Sequence, residues 1–285
     1  MESKPNLDEW SYYIARGTTS YFYHIPSAKT IKAATDLIQA DAFQVIEHTN
    51  QIYVIGGNIK NEPINAVFTL TFPTIHLTIK RKLNIPRWAF GCSKNDKFIY
   101  ALGGYNGSKC LQEVEQYDPI KDMWIYLPSM NEGKTSCGSC ATNNKLFAFG
   151  GFRHKFGTVS SLEILDLRSP KEWSKSLVST KFGTRSACGC IQFSIDSAKV
   201  FIFGGLRTST EFMSDSWMYD TNSKEMFPLD AKMRMTDYFS CSSNCLGYKC
   251  NGKLYALGSE TMNIHIYDPK ASKWEIIEKD KWIMS

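Results

Sequence analysis

The sequence predicts an all-β fold of radially stacked four-stranded sheets, and three observations predict it. The first is a run of aromatic and aliphatic residues ending in a glycine pair. IYVIGG ends at Gly57, IYALGG at Gly104, LFAFGG at Gly151 and VFIFGG at Gly205, and a fifth copy, LYALGS, ends at Ser259. The second is a segment downstream of the run that ends in Tyr-Asp and leads through a turn to Trp. Tyr117-Asp118-Pro119 leads to Trp124 and Tyr267-Asp268-Pro269 leads to Trp274. The third is composition. Hydrophobic residues make up 43% and aromatics 13% of 285 residues, which suits a large packed core and favours strands.

The first glycines fall at 56, 103, 150, 204 and 258, so one unit recurs at 47 to 54 residues. Such a period marks a repeat architecture. Each unit opens on a small-residue strand: Phe90-Gly91-Cys92, Cys137-Gly138-Ser139-Cys140 or Cys188-Gly189-Cys190. Asn95-Asp96, Asn143-Asn144 and Asn251-Gly252 then supply hairpin turns, because these residues tolerate positive φ. The glycine-pair strand comes second, the Tyr-Asp strand third, and a short strand from the Trp fourth. Three units depart from the pattern: the first has Phe68-Thr69-Leu70-Thr71-Phe72-Pro73 where Tyr-Asp-Pro is expected and no Trp, Tyr219-Asp220 is followed by Met226 in place of Trp, and Leu165-Asp166 reaches Trp173 with one extra residue. A lone four-stranded sheet of this kind cannot bury both faces, whereas radial stacking buries them and leaves short edges. The glycine pair lets the chain leave the inner strand at unusual φ/ψ in a crowded place. The Trp supplies a large apolar body between neighbouring sheets.

These motifs resemble the kelch repeat, with its Gly-Gly, Tyr-Asp-Pro and Trp in units of about 50 residues. The resemblance covers residues 42 to 278 as five units. It implies a kelch-type β-propeller occupying residues 1–285 as a single domain. Residues 10–40 read as a degraded first blade without its first strand. Trp10 to Gly17 stands for the glycine strand, and Tyr21 to Pro26 for the next. In kelch rings the missing strand can come from the other terminus. Residues 280–285, around Lys281-Trp282-Ile283-Met284, are the candidate closing strand. Six blades of four antiparallel strands are expected, with five blades plus an irregular N-terminal cap as the alternative.

Charge and composition exclude several functions. The net charge of +5 is mild, and no basic run or nucleic-acid motif appears. No stretch approaches the length of a bilayer span, and residues 1–8 are polar without a signal-peptide core. A cytoplasmic protein is expected, and the nine cysteines should be reduced. Cys137-x-x-Cys140, Cys188-x-Cys190 and Cys241-x-x-x-Cys245 read as small buried residues of tight inner strands, with metal or redox chemistry as the rival. His24, His48, His76, His154 and His265 are scattered and lack ligand spacing. No catalytic residue, metal or cofactor is expected.

In a propeller the strands are scaffold and the loops carry recognition. The loops after each glycine pair and those before each small-residue strand should project on one face. They hold most of the chain's positive excess, at Arg87, Lys109, Arg153, Lys155, Lys181 and Arg185. The candidate partner-binding set is Arg87, Trp88, Tyr105, Phe152, Arg153, His154, Lys155, Arg185, Ser186, Arg207 and Tyr238. Arginine suits carboxylate and phosphate geometry and aromatics supply anchors, so an acidic or phosphorylated peptide is the expected ligand.

The kelch resemblance implies a non-enzymatic interaction platform or adaptor. Many kelch proteins add a BTB domain for ubiquitin-ligase scaffolding, an F-box or actin-associated segments. This chain reads as a stand-alone propeller, reaching ubiquitin-ligase or cytoskeletal components through another protein. The rival is a carbohydrate-active or carbohydrate-binding propeller of the epimerase type. Arg153, His154 and Glu211 are the residues such a reading would use.

Overall fold

The computed structural model describes residues 40–278, apart from 50, 72–75, 177, 193–197, 234–247, 251 and 258–262. It also describes 280–281 and the backbone of strands β1 (Trp10–Tyr13), β2 (Thr19–His24) and β3 (Lys29–Ala34). Five four-stranded antiparallel sheets follow one another as propeller blades. Blade 1 holds β4 (Gln44–His48), β5 (Gln51–Ile55), β8 (Val67–Thr71) and β9 (His76–Ile79), with a small hairpin, β6 (Asn58–Ile59) and β7 (Glu62–Pro63), at its glycine end. Blade 2 holds β10 (Gly91–Lys94), β11 (Ile99–Leu102), β12 (Val114–Asp118) and β13 (Met123–Leu127). Blade 3 holds β14 (Gly138–Thr142), β15 (Lys145–Phe149), β18 (Leu162–Asp166) and β19 (Ser174–Ser176), plus the hairpin β16 (Phe152–Arg153) and β17 (Gly157–Thr158). Blade 4 is β20 (Gly189–Gln192), β21 (Lys199–Phe203), β22 (Ser216–Asp220) and β23 (Met226–Leu229). Blade 5 is β24 (Tyr248–Cys250), β25 (Lys253–Leu257), β26 (Ile264–Asp268) and β27 (Lys273–Ile277).

The blade count corrects the expectation of six. Among the described residues, β1, β2 and β3 form an antiparallel sheet of three strands, and no fourth strand completes it as a blade. Lys281, placed in the expected closing strand, is helical together with Asp280, and residues 282–285 lie outside the described residues. A helical backbone offers no ladder of outward N–H and C=O groups to a neighbouring sheet.

The core lies between blades rather than within them. Ile46, Tyr53 and Ile55 of blade 1 pack with Ile99, Ala101, Tyr117 and Trp124 of blade 2. Tyr100 and Leu102 of blade 2 pack with Leu146, Ala148 and Trp173 of blade 3. The indoles also carry hydrogen bonds back to the preceding blade's exit. Trp124 Nε1 donates to the Arg81 carbonyl at 2.9 Å and Trp173 Nε1 to the Pro128 carbonyl at 2.7 Å. At the blade 3–4 seam Met226 takes the Trp position and only partly buries itself. Trp217, one strand inward, fills the space beside Phe182, with ring centroids 5.5 Å apart.

The Tyr-Asp motif has a local cause. The Asp118 carboxylate accepts the Ile120 and Lys121 amides at 2.9 and 3.1 Å, and Asp220 and Asp268 cap their turns in the same way. These are Asx turns that close the third strand onto the fourth. The amide donors hold both Asp220 and Asp268 below their ordinary carboxylate pKa.

The glycine pair turns out to be an inter-blade device. The amide of the second glycine donates to a carbonyl of the next blade: Gly57 to Arg87 at 2.9 Å, Gly104 to Lys134 at 2.9 Å and Gly151 to Arg185 at 2.8 Å. The first glycine lies against that same carbonyl. At Gly56, with φ of +60°, a Cβ would sit 2.6 Å from the Arg87 oxygen, and at Gly150 it would overlap the Arg185 oxygen outright.

Candidate partner-binding face

Short backbone bridges decide which loops share a face. Asp41 pairs with Asn58, Trp88 with Tyr105, Thr135 with Phe152 and Ser186 with Leu206. In each of blades 1 to 4 the segment before the inner strand is therefore stitched to the segment after the glycine pair, and both loop sets stand at the glycine end.

On that face, Trp88 and Tyr105 are half-buried and meet edge to face with centroids 5.7 Å apart. The β16–β17 hairpin of blade 3 stands out further. Phe152 is 44% and Phe156 70% exposed, and the Arg153 guanidinium lies 4.4 Å from the centre of the Phe156 ring. His154 and Lys155 at its tip are exposed, and Lys155 holds a φ of +117°. Thr158 Oγ1 donates to the Arg207 carbonyl at 2.6 Å, which ties the hairpin to the blade 4 loop.

The basic residues of this face are mostly neutralised. Arg207 pairs with Glu211 at 2.6 Å, Lys109 with Glu113 at 2.9 Å, and Arg153 with Glu132 at 3.3 Å. Lys175 shares Glu132 at 2.9 Å. Partial burial works against ionisation of Glu132, but the Lys175 hydrogen bond and the Arg153 and Lys134 charges together hold its pKa below the usual range.

Arg87 and Arg185 do not belong to an exposed rim, contrary to the sequence expectation. Both are fully buried at the seams. Arg87 Nη1 donates to the Gly103 and Glu113 carbonyls at 2.7 and 2.8 Å, and Nη2 pairs with Glu115 at 2.6 Å. Glu115 Oε1 also accepts the Ile85 amide, and Oε2 accepts the Asn84 amide. Burial pulls the Arg87 pKa down, and Glu115 offsets part of that. Lys134 repeats the device with Glu163 at 2.7 Å, both fully buried. Arg185 repeats it with Asp215 at 2.9 Å, stacks 3.8 Å over Phe182 and also donates to the Phe182 carbonyl. Ser186 is likewise buried, and its backbone forms the bridge to Leu206. Tyr238 lies outside the described residues.

The structure thus brings Phe152, Arg153, His154, Lys155 and Arg207 together, sets Trp88 and Tyr105 as a separate pair in blade 2, and withdraws Arg87, Arg185 and Ser186. Sequence reasoning missed Phe156, Glu132 and the buried acids Glu115 and Glu163. A signal for the acids was present: each stands at the second residue of a Tyr-Asp-type strand, in EVEQYD and SLEILD, where a charge interrupts an apolar strand. Of the cysteines, Cys137, Cys140 and Cys188 are buried thiols, while Cys241 and Cys245 lie outside the described residues. Among the described residues no three His, Cys, Asp or Glu side chains gather as a metal site. No helix among them is long and apolar enough to cross a membrane.

The kelch motif matches residues 99–131, which run from the glycine-pair strand of blade 2 past its Trp. This is a kelch-repeat propeller. It is 29% identical to human Kelch-like protein 23 over 182 residues, covering 63% of this chain and 30% of that protein. It is 24% identical to mouse Kelch-like protein 35 over 236 residues, 79% of this chain and 37% of the relative. The Kelch repeat and BTB domain-containing protein 2 of cowpox virus (strain GRI-90 / Grishak) is 31% identical over 133 residues, 45% of this chain and 24% of that protein. The kelch propeller therefore spans about a third of the length of the curated relatives it matches.

Proposed function

We propose that this kelch propeller is a non-enzymatic protein-interaction platform that holds a partner segment on its glycine-end face, with the β16–β17 hairpin as the anchor. The single observation carrying this reading is the exposure of Phe152 and Phe156 on a hairpin braced by Arg153 and Thr158. Two large apolar rings held rigidly in water contribute little to folding, and covering them on binding is favourable. The exposed Lys155 ammonium at the tip, with the His154 ring beside it, favours an acidic or phosphorylated stretch next to the apolar anchor of the partner. As the kelch part of an adaptor, the propeller would present that partner to cytoplasmic machinery of the ubiquitin-ligase or cytoskeletal kind. The BTB domain in the cowpox relative's name supports the former.

Affinity purification with mass spectrometry identifies the partner, and the purified pair is then titrated. The Phe152→Ala/Phe156→Ala variant should lose at least tenfold in affinity while keeping its melting temperature, because anchors of this size dominate interfaces. Unchanged affinity would sink the reading.

A second reading rests on a different place. At the end of blades 2 and 3 opposite the glycine pairs, a cavity of about 460 Å³ is lined by Asn95, Phe98, Tyr100, Gln116, Asn144 and Gln192. Amides beside aromatic rings match the hydroxyls and C–H face of a sugar, which supports the carbohydrate-binding alternative. Binding of a glycan in an array, abolished by Gln116→Ala, would favour it.

A further inference from the structure

In blades 3 and 4, two residues at the head of the inner strand, two apart in sequence, face the inner strand of the preceding blade. Blade 3 puts Cys137 and Ser139 against Gly91, and blade 4 puts Cys188 and Cys190 against Gly138. Blade 4 thus has cysteine at both positions. Side chains two apart on a strand share a face. Both sulfurs converge on one point of blade 3: a Cβ placed on Gly138 would meet the Cys188 sulfur at 2.7 Å and the Cys190 sulfur closer still. The glycine opens the space in which the two thiols sit side by side. Cys190 is half-buried and Cys188 lies behind it, with Arg185 three residues upstream.

We propose that Cys188 and Cys190 form a peroxide-reactive thiol pair, a modification site at the blade 3–4 seam that closes to a disulfide at the head of β20. The surroundings favour the first step at Cys188. The Cys190 sulfhydryl donates to its sulfur, and this outweighs the burial that opposes ionisation. The Arg185 charge and the Gly138 and Cys188 amides add to it, so the Cys188 thiol lies below its ordinary pKa. The equivalent Cys137, whose neighbour two residues on is Ser139, is pushed up to about 11 by burial, and Cys140 to about 12. Thiolate is the nucleophile in such reactions. The Cys188 thiolate attacks one peroxide oxygen and the O–O bond breaks, giving a sulfenic acid and hydroxide. Hydroxide takes the Cys190 proton and becomes water. The Cys190 thiolate then attacks the Cys188 sulfur, the S–O bond breaks, and the departing hydroxide is protonated to a second water. Two thiols are oxidised and one peroxide is reduced. While the chain is extended the two Cβ atoms stand roughly 6.6 Å apart, more than a disulfide spans, so closure requires the backbone at Gly189 to leave its pairing with Phe203, a movement that glycine permits.

The test treats the native chain with hydrogen peroxide, alkylates the remaining thiols and digests with trypsin. Cleavage after Arg185 and Lys199 releases peptide 186–199, which carries these two cysteines and no other. The peptide should appear two hydrogens lighter and unalkylated, about tenfold sooner than Cys137 is oxidised. Cys190→Ser should leave Cys188 as a sulfenic acid trapped by dimedone. In urea the advantage over Cys137 should vanish, because it comes from the fold. Two free thiols in peptide 186–199 after Cys137 has been oxidised would overturn the proposal. So would an advantage that persists in urea.

Discussion

Arg87 and Arg153 both stand near the glycine end of their blades, yet they do opposite work. Arg87 has no exposure, four backbone or carboxylate partners on one guanidinium, and a buried acid that also accepts two amides. Arg153 is 27% exposed, shares its acid with Lys175, and leans on a ring that faces water. The difference is position relative to the seam. A base two residues before the positive-φ residue of the next blade (Ala89, Ser136 or Ala187) is folded back under the glycine pair. A base after the glycine pair is carried outward on the hairpin. The first kind contributes to holding blades together, and the second kind stays partly exposed at the surface in an ion pair.

The largest effect should come from breaking a seam pair from one side. Arg87→Ala leaves Glu115 buried without its cation and should cost about 3–5 kcal/mol, read as a lower midpoint in urea unfolding. A loss under about 1 kcal/mol would place Arg87 with the rim residues. An intermediate effect is expected at the blade 2–3 seam. Trp173→Phe keeps most of the apolar body but removes the donor to the Pro128 carbonyl, and should cost about 1–3 kcal/mol, measured by the same unfolding. The smallest effect belongs to the rim. Arg153→Ala should change stability by less than about 1 kcal/mol while weakening partner binding. Its acid adds a pH signature. The folded Glu132 carboxyl titrates below its unfolded value of about 4.3, so its contribution is complete above that pH and is lost as pH falls through the lower folded value. Glu132→Gln should flatten that part of the acid-unfolding curve, which a pH series of melting temperatures reads.

Much of the blade architecture was legible because the repeat writes local rules into the chain. Tyr-Asp followed by a turn is an Asx motif whose partners are two and three residues away. Asn143-Asn144 marks a hairpin because both residues sit at positive φ. The candidate face was only half legible. Phe152 to Lys155 could be placed on a loop from the glycine pair alone. Whether Arg185 points outward or inward depends on Asp215, thirty residues on, and on the Gly204 carbonyl it also reaches. Met226 could be seen to break the Trp pattern, but not that Trp217 would replace it, since that substitution is made across two strands.

The all-β class, the order of four strands per unit and the glycine-pair positions were readable from residues alone, because they stem from periodicity and from backbone conformations available to few residues. The same repeat marked five units from 42 to 278, and the structure builds five blades there. Tertiary packing was needed to show that the N-terminal sheet has three strands among the described residues, which bases are buried, and which cysteines meet. Those outcomes depend on what the neighbouring blade presents at a seam: a carbonyl for the glycine amide, a carboxylate for the base, or the space left by Gly138 for two thiols. No single repeat contains that information, because each seam is built from two.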